Sequence, residues 1–262
     1  MAVRRLAGAP AAPDPAALAP RIERAEAEQL ARTGAPFRAG ALAVSGGLAV
    51  SKGPRSASSA AFGLGLRGPV SEEDLDRVEA HLGALGGDVR VELCVHAHPS
   101  LAAALGRRGY HVERVLLVLA RAAAPYAPAG AAAVAVRELA PGEERAFAEA
   151  FGLAHLGRPP SPDELEDLLA VPRARGSACF AAFDGGALVA VAVASEHDGV
   201  ASLSGAGVVP GSRGRGLQLA LLHARLAWAA RRGCDVAASA VTPGGASQRN
   251  LERAGFRVAY AK

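Results

Sequence analysis

The sequence predicts an α/β (α+β) chain with a mixed, mostly antiparallel sheet flanked by helices, present in two copies. Three observations predict it. The second half reads as strand, two helices, three strands joined by tight turns, then helix, strand, helix, strand. An apolar strand there runs through a glycine-arginine loop, Val208-Val209-Pro210-Gly211-Ser212-Arg213-Gly214-Arg215-Gly216-Leu217-Gln218, straight into an amphipathic helix. The first half echoes the end of the second: Leu105-Gly106-Arg107-Arg108-Gly109-Tyr110-His111-Val112 resembles Leu251-Glu252-Arg253-Ala254-Gly255-Phe256-Arg257-Val258.

Residues 1–15 are rich in alanine and proline and are expected to form a disordered tail. Residues 16–121 are expected to form a first domain. A helix opens there at Ser71-Glu72-Glu73-Asp74, whose carboxylates complement the helix dipole. That opening lies 38 residues before Gly109, and Gly216 lies 39 before Gly255, a matched spacing that supports duplication. Cys94, His96 and His98 alternate, so on a strand they would share one face. A fourth ligand is missing, and a structural role rather than a metal is expected. Residues 115–120 read as a strand, and the Ala/Pro stretch 122–130 as a linker.

Residues 131–262 are expected to form the second domain. A strand is predicted at 132–139 and a first helix near Pro141. A second helix opens at Ser161-Pro162-Asp163-Glu164, a capping box with proline at the first helical position. Strands at 178–183, 187–195 and 200–209 are separated by the turns Asp184-Gly185-Gly186 and His197-Asp198-Gly199. After the loop, Leu217, Leu221, Ala224 and Trp228 mark one helical face, and Gly233 ends the helix. Val236 to Val241 reads as a buried strand.

The 208–218 loop has the chemistry of a diphosphate cradle. Unpaired N–H groups at a helix N-terminus point outward, and the helix dipole favours negative charge there. Gly214 and Gly216 let the backbone come close to phosphates, and Arg213 and Arg215 add charged donors. The loop is not a Walker A motif, because no Gly-Lys-Ser/Thr follows. It is not a dinucleotide fingerprint either, because Leu219 stands in place of the third glycine.

Arg213-Gly214-Arg215-Gly216-Leu217-Gln218 resembles the acyl-CoA loop of the GNAT superfamily of N-acetyltransferases, Arg/Gln-x-x-Gly-x-Gly/Ala, departing at Gln218. Downstream, Ser247, Arg249, Glu252, Gly255 and Phe256 match the second signature, in the form seen in ribosomal-protein N-terminal acetyltransferases. Gly244 and Arg253 depart from it. The resemblance implies a GNAT-type sheet, acetyl-CoA as co-substrate, no metal, and acyl transfer to a primary amine by direct attack in a ternary complex. The acceptor would be a small molecule or a protein amine.

By the same resemblance, the CoA arm lies between two splayed strands, with backbone N–H groups of Val208 or Val209 facing the thioester oxygen. Arg213, Gly214, Arg215, Gly216, Leu217 and Gln218 would hold the diphosphate. Asn250 would contact CoA or face solvent. Many members place an acidic Tyr on the last helix, where this chain has Leu251. The serine matching Ser247 lies near the sulfur in the N-terminal acetyltransferases, so Ser247 is the candidate acid. A serine after Pro-Gly equally suits a helix N-cap. The pre-loop strand carries no carboxylate, leaving Glu196 or its neighbour His197 as a base acting through water, or as ordinary polar turn residues. Acidic groups on the two helices at 141–167, such as Glu143, Glu149 and Glu166, would attract a cationic amine or form a solvated face. The carboxylates at Glu72, Glu73 and Asp74 would repel a pyrophosphate, so the first copy is expected to be degenerate. The family's usual last strand is absent after Phe256 or is supplied from elsewhere.

Composition narrows the partners. A net charge of +4 and 4% aromatic residues argue against nucleic acid. No uncharged apolar run reaches membrane-spanning length, so no membrane is expected. Three cysteines without paired spacing, and no leucine-rich leader after Arg4-Arg5, point to a cytoplasmic protein. The missing tyrosine and strand carboxylate keep open a non-catalytic acyl-CoA sensor or interaction protein of the same fold. The sequence leaves the oligomeric state unknown.

Overall fold

Helix α1 (Pro15–Gly34) begins where Asp14 caps it, the Asp14 carboxylate accepting from the Ala16 amide at 3.0 Å. The computed structural model describes residues 14–34, 40–53, 56, 58–84, 86, 88–126 and 134–262. Most of the tail expected at 1–15, and 127–130 of the expected linker, lie outside these residues.

Two sheets follow from the apolar strands. The first contains β1 (Ala41–Val44), β2 (Gly47–Val50), β3 (Ala60–Phe62) and β4 (Val91–Glu92), in that order. β1, β2 and β3 are antiparallel, and β4 joins β3 in parallel after helix α2 (Glu72–Gly83). Ser71 caps α2 through the Asp74 amide. Helix α3 (Pro99–Arg107) leads to β5 (Leu117–Ala122).

The second sheet collects β6 (Val136–Glu138), β7 (Ser177–Asp184), β8 (Ala187–His197), β9 (Val200–Val208), β10 (Val236–Val241) and β11 (Arg257–Ala261). Its order is β11-β5-β10-β9-β8-β7-β6. Helices α4 (Glu144–Leu156) and α5 (Pro162–Arg173) lie between β6 and β7. The predicted capping box of α5 is present: Ser161 accepts from the Glu164 amide at 3.3 Å, and the Glu164 carboxylate accepts from the Ser161 amide at 2.7 Å. Helix α6 (Leu217–Arg231) carries β9 over to the parallel β10, and α7 (Ala246–Arg253) precedes β11. Leu217, Leu221, Leu222, Leu226 and Trp228 of α6 pack on a core that includes Phe180, Leu203 and Phe256. β7-β8-β9-α6-β10 thus repeats the strand order and pairing sense of β1-β2-β3-α2-β4.

The structure differs from the expected organisation in two places. The division expected at residue 121 does not follow the sheets, because β5 enters the second sheet between β10 and β11. Leu117 faces Val241 and Ala122 faces Val236, both strand neighbours being antiparallel to β5. The partner of the β10 edge therefore comes from the first part of the chain, which satisfies hydrogen-bonding groups that β11 leaves unmet. Cys94, His96 and His98 do not share a strand face. β4 ends at Glu92, the chain turns with the Ala97 amide on the Cys94 carbonyl at 2.9 Å, and His98 caps α3. Among the described residues no helix is long and apolar enough to cross a membrane.

α1 lies against this second sheet and is tied to its last strand. Leu18, Ala19 and Ile22 share a core with Val118, Val200, Val236 and Tyr260. Glu23 and Lys262 are both fully buried, 3.3 Å apart; Tyr260 donates to Glu23 at 2.8 Å, and Lys262 also meets Glu26 at 2.8 Å. Burial raises the Glu23 carboxyl, to about 7, against the pull of Lys262. Burial opposes the charge on Lys262, but Glu26, Glu23 and Glu92 outweigh it and hold the ammonium above its ordinary value.

Candidate cofactor and acceptor site

β9 and β10 part company midway. Their pairing runs only from Val200 opposite Val236 to Ser202 opposite Ala238. A bulge on the other side of β9 contributes: Val191 faces Gly207, but Val193 faces Ser204, so Gly205 and Ala206 oppose one residue. Gly205 sits at φ +55, and a Cβ there would lie 2.7 Å from the Phe151 ring of α4. A Cβ on Gly207 would lie 2.7 Å from Ala154. Glycine at these two places lets α4 rest directly on the strand.

The free edge of β9 has a defined polarity. The Val209 amide donates to Val189 of β8 at 3.0 Å. By antiparallel alternation, the N–H and C=O of Val208 then point away from β8, into the gap. Arg213 Nε donates to the Val208 carbonyl at 3.4 Å, which agrees with that direction. Gln218 Nε2 donates to the Ala206 carbonyl on the same edge at 3.4 Å. Of the two valine amides expected at the site, Val209 is thus engaged within the sheet and Val208 faces the gap.

Beyond β9 a short 3-10 turn, Pro210–Ser212, leads to Gly214 at φ +80 and Gly216 at φ +74. Gly216 is the N-cap of α6 and has no side chain to close its first turn. A cavity of about 590 Å³ opens in front of it, lined by Val208, Arg213, Gly214, Gly216, Leu217, Gln218 and Asn250, with Arg253 of α7 beside them. Arg215 is absent from that lining and pairs with Asp184 at 2.6 Å.

A second cavity, of about 250 Å³, continues along the gap. Ser202 to Ala206 of β9 and Ala238 to Val241 of β10 form its walls, and Ser247, Asn250 and Leu251 of α7 close one side. His155, Ala206, Gln218 and Asn250 line both cavities and mark their junction. Ser247 is inside α7, whose N-cap is Gly245, so it faces this cavity and is not the cap. Glu196 lines neither cavity. It lies opposite Ala201 at the other end of β9 from Val208, roughly 23 Å away at ~3.3 Å per residue. There its carboxylate accepts from the Gly199 amide at 3.3 Å. His197 meets Asp198 at 3.5 Å in the same turn.

Several cavity residues escaped the sequence reading. His155 of α4 hydrogen-bonds the Phe151 carbonyl through Nδ1 at 2.9 Å and stacks on the Phe151 ring, centroids 4.2 Å apart. A carbonyl only accepts, so Nδ1 is the donor in this contact and Nε2 is left for another partner. Ile22, Glu26 and Gln29 come from α1, in the part of the chain not expected to touch the ligand. Gln29 donates to the Ser204 hydroxyl at 2.5 Å. Arg225 of α6, 4% exposed, donates to the Leu221, Val193 and Ser204 carbonyls at 3.2, 3.4 and 3.4 Å. Burial lowers its guanidinium to about 10. The periodicity marks Arg225 as a polar break on α6, but only the fold places it in a cavity. Among the described residues no group of three His, Cys, Asp or Glu is arranged to hold a metal.

Comparison with known proteins agrees with this geometry. Residues 144–256 match the family model "Acetyltransferase (GNAT) family". A GCN5-related N-acetyltransferase from Kribbella flavida shares the fold with TM-score 0.64, at 20% identity, over 93% of this chain and 93% of that one. A GCN5-related N-acetyltransferase from Sphaerobacter thermophilus matches with TM-score 0.57 at 23% identity, over 77% of this chain and 69% of that one. No curated protein matches the chain.

Proposed function

Because residues 144–256 belong to the acetyltransferase (GNAT) family, we propose that the protein is an acyl-CoA-dependent N-acyltransferase that carries acetyl from acetyl-CoA to a primary amine. The observation that carries the reading is the continuous path from the uncapped N-terminus of α6 along the free edge of β9 to the junction of the two cavities. The residues fit the co-substrate. The first-turn amides of α6 and Arg213 suit a diphosphate. The Val208 amide suits the arm behind it, as one more strand pairing.

CoA supplies the acyl group as a thioester. At the junction the Ala206 amide, on the same free edge as Val208, donates to the thioester oxygen as charge builds there. His155 Nε2 takes the proton of the attacking amine. The new C–N bond forms as the C–S bond breaks; Ser247 donates a hydrogen bond to the departing thiolate, which takes up, through water, the proton that His155 removed, giving an amide and free CoA thiol. Glu196 has no part in this scheme. The repeated strand order supports duplication, and the carboxylates of the α2 first turn, with Glu72 held by Arg107 and Arg108, support a first copy that binds no CoA.

The test is release of free thiol from acetyl-CoA with a panel of primary amines, alongside calorimetric CoA binding. CoA binding with amine-dependent thiol release is expected. Binding without turnover on any amine would favour a sensor, and loss of binding on Arg213→Ala with Gly216→Glu would tie either reading to the loop.

A further inference from the structure

The 250 Å³ cavity holds two charged groups of opposite sign that the scheme above does not use. On the α6 side is Arg225, all but buried, with no carboxylate partner among the described residues. Its contacts occupy Nε and Nη1 with backbone carbonyls, and Nη2 is the donor left over among the described residues. An arginine taken out of water is costly unless its fork is filled, and a carboxylate fills it best. On the α1 side is Glu26, about a quarter exposed, held by Lys262 at 2.8 Å. Of the three carboxylates around Lys262, Glu26 is the one that lines the cavity, while Glu23 lies buried behind it and Glu92 pairs with Arg114 at 2.9 Å.

We propose that this cavity binds a carboxylate on Arg225, and that the acceptor is a small α-amino acid whose ammonium is drawn to the Glu26 wall. The inference rests on the acyltransferase reading and names the substrate class for the same site. One cavity carrying a buried cation and an acidic wall matches a molecule bearing an amine and a carboxylate a few bonds apart. A carboxylate could equally arrive on the acyl group, as in a dicarboxylic acyl-CoA, and the test separates the two sources.

The test compares alanine with alaninamide, and glycine with glycinamide, as acceptors of acetyl-CoA, following free thiol. Near pH 7 the amides, whose amines are less basic, hold the larger fraction as free amine, so a preference for the acids there does not come from amine availability. A preference in kcat/KM of at least ~10-fold for the acids is expected, because the amide oxygen can still accept from the guanidinium but brings no counter-charge to the buried cation. Arg225→Gln should erase the preference while leaving the acetyl-CoA KM unchanged, and Arg225→Lys should restore part of it. Calorimetric titration of the CoA-loaded wild-type protein with alanine and alaninamide gives the same comparison without a variant or turnover, and tighter alanine binding is expected. Equal or better use and binding of the amides would overturn the proposal, as would a preference that survives Arg225→Gln. Better use of succinyl-CoA than acetyl-CoA with the amides, abolished by Arg225→Gln, would move the carboxylate to the acyl group and overturn the amino-acid acceptor. Failure to bind CoA at all would instead strike the acyltransferase reading.

Discussion

Gln29 of α1 donates a hydrogen bond of 2.5 Å to the hydroxyl of Ser204 on β9, across 175 positions of sequence. That contact puts the first part of the chain in the wall of the 250 Å³ cavity. The same helix brings Glu26 there and is fixed to β11 through Glu23, Tyr260 and Lys262. Arg21 adds a pair with Asp235 at 2.6 Å, at the start of β10. The cavity therefore belongs to the whole chain.

Arg213→Ala should weaken CoA binding by roughly tenfold or more, the scale of one charged hydrogen bond at about 1.5–3 kcal/mol. The loss should shrink when the ligand is pantetheine without its diphosphate. Calorimetry with both ligands checks it, and equal losses for the two would remove Arg213 from the phosphate site.

His155→Gln should lower kcat by about 10²–10⁴ while leaving the acetyl-CoA KM nearly unchanged, as expected for loss of a general base. A variant that keeps kcat would assign His155 to packing on Phe151.

Ser247→Ala separates chemistry from capping. The cap of α7 is Gly245, so the variant should melt at the wild-type temperature. Its kcat should still fall, with the larger loss for acyl thioesters whose thiols leave poorly. A drop in melting temperature equivalent to ~1 kcal/mol would instead mark a capping role.

Leu119→Ala should destabilise the protein by about 2–5 kcal/mol, because Leu119 is fully buried in the core of the second sheet. Denaturant unfolding should show one cooperative transition moving to lower denaturant. An early separate transition of residues 14–116 would show that β5 does not couple the two sheets.

The Glu23 carboxyl is raised from an ordinary value near 4.5 to about 7 in the folded chain. Between these values the folded protein holds a proton there that the unfolded chain gives up. Stability from this group is therefore full below the lower value and is lost as pH rises through the upper one. Glu23→Gln should flatten the decline in melting temperature between about pH 5 and about pH 8. Thermal melts of both proteins at the two pH values check this, and an unchanged decline would place the titration elsewhere.

Local chemistry carried much of the fold into the sequence. The capping box at Ser161, the glycines of the 208–218 loop, the α6 stripe and the 247–256 signature are each fixed by neighbours a few residues apart. Those patterns determined the mixed, mostly antiparallel sheet with its flanking helices, the likeness of residues 144–256 to the acetyltransferase family model, and where the α6 N-terminus opens. What depended on distant partners was settled only by the tertiary structure. Alternation along β8 and β9 decided that Val208, and not Val209, faces the gap. The length of β9 set Glu196 far from the junction, and an ion pair with Asp184 drew Arg215 aside. The unmet edge of β10 took its partner from Leu117–Ala122, across the expected domain boundary. Burial turned Arg225 from one polar residue on a helix into a cation inside a cavity, and packing of α1 brought Glu26 to the opposite wall. Short-range periodicity and capping act within a few residues and so are written in the sequence, whereas burial, strand partnership and charge pairing depend on which distant surfaces meet.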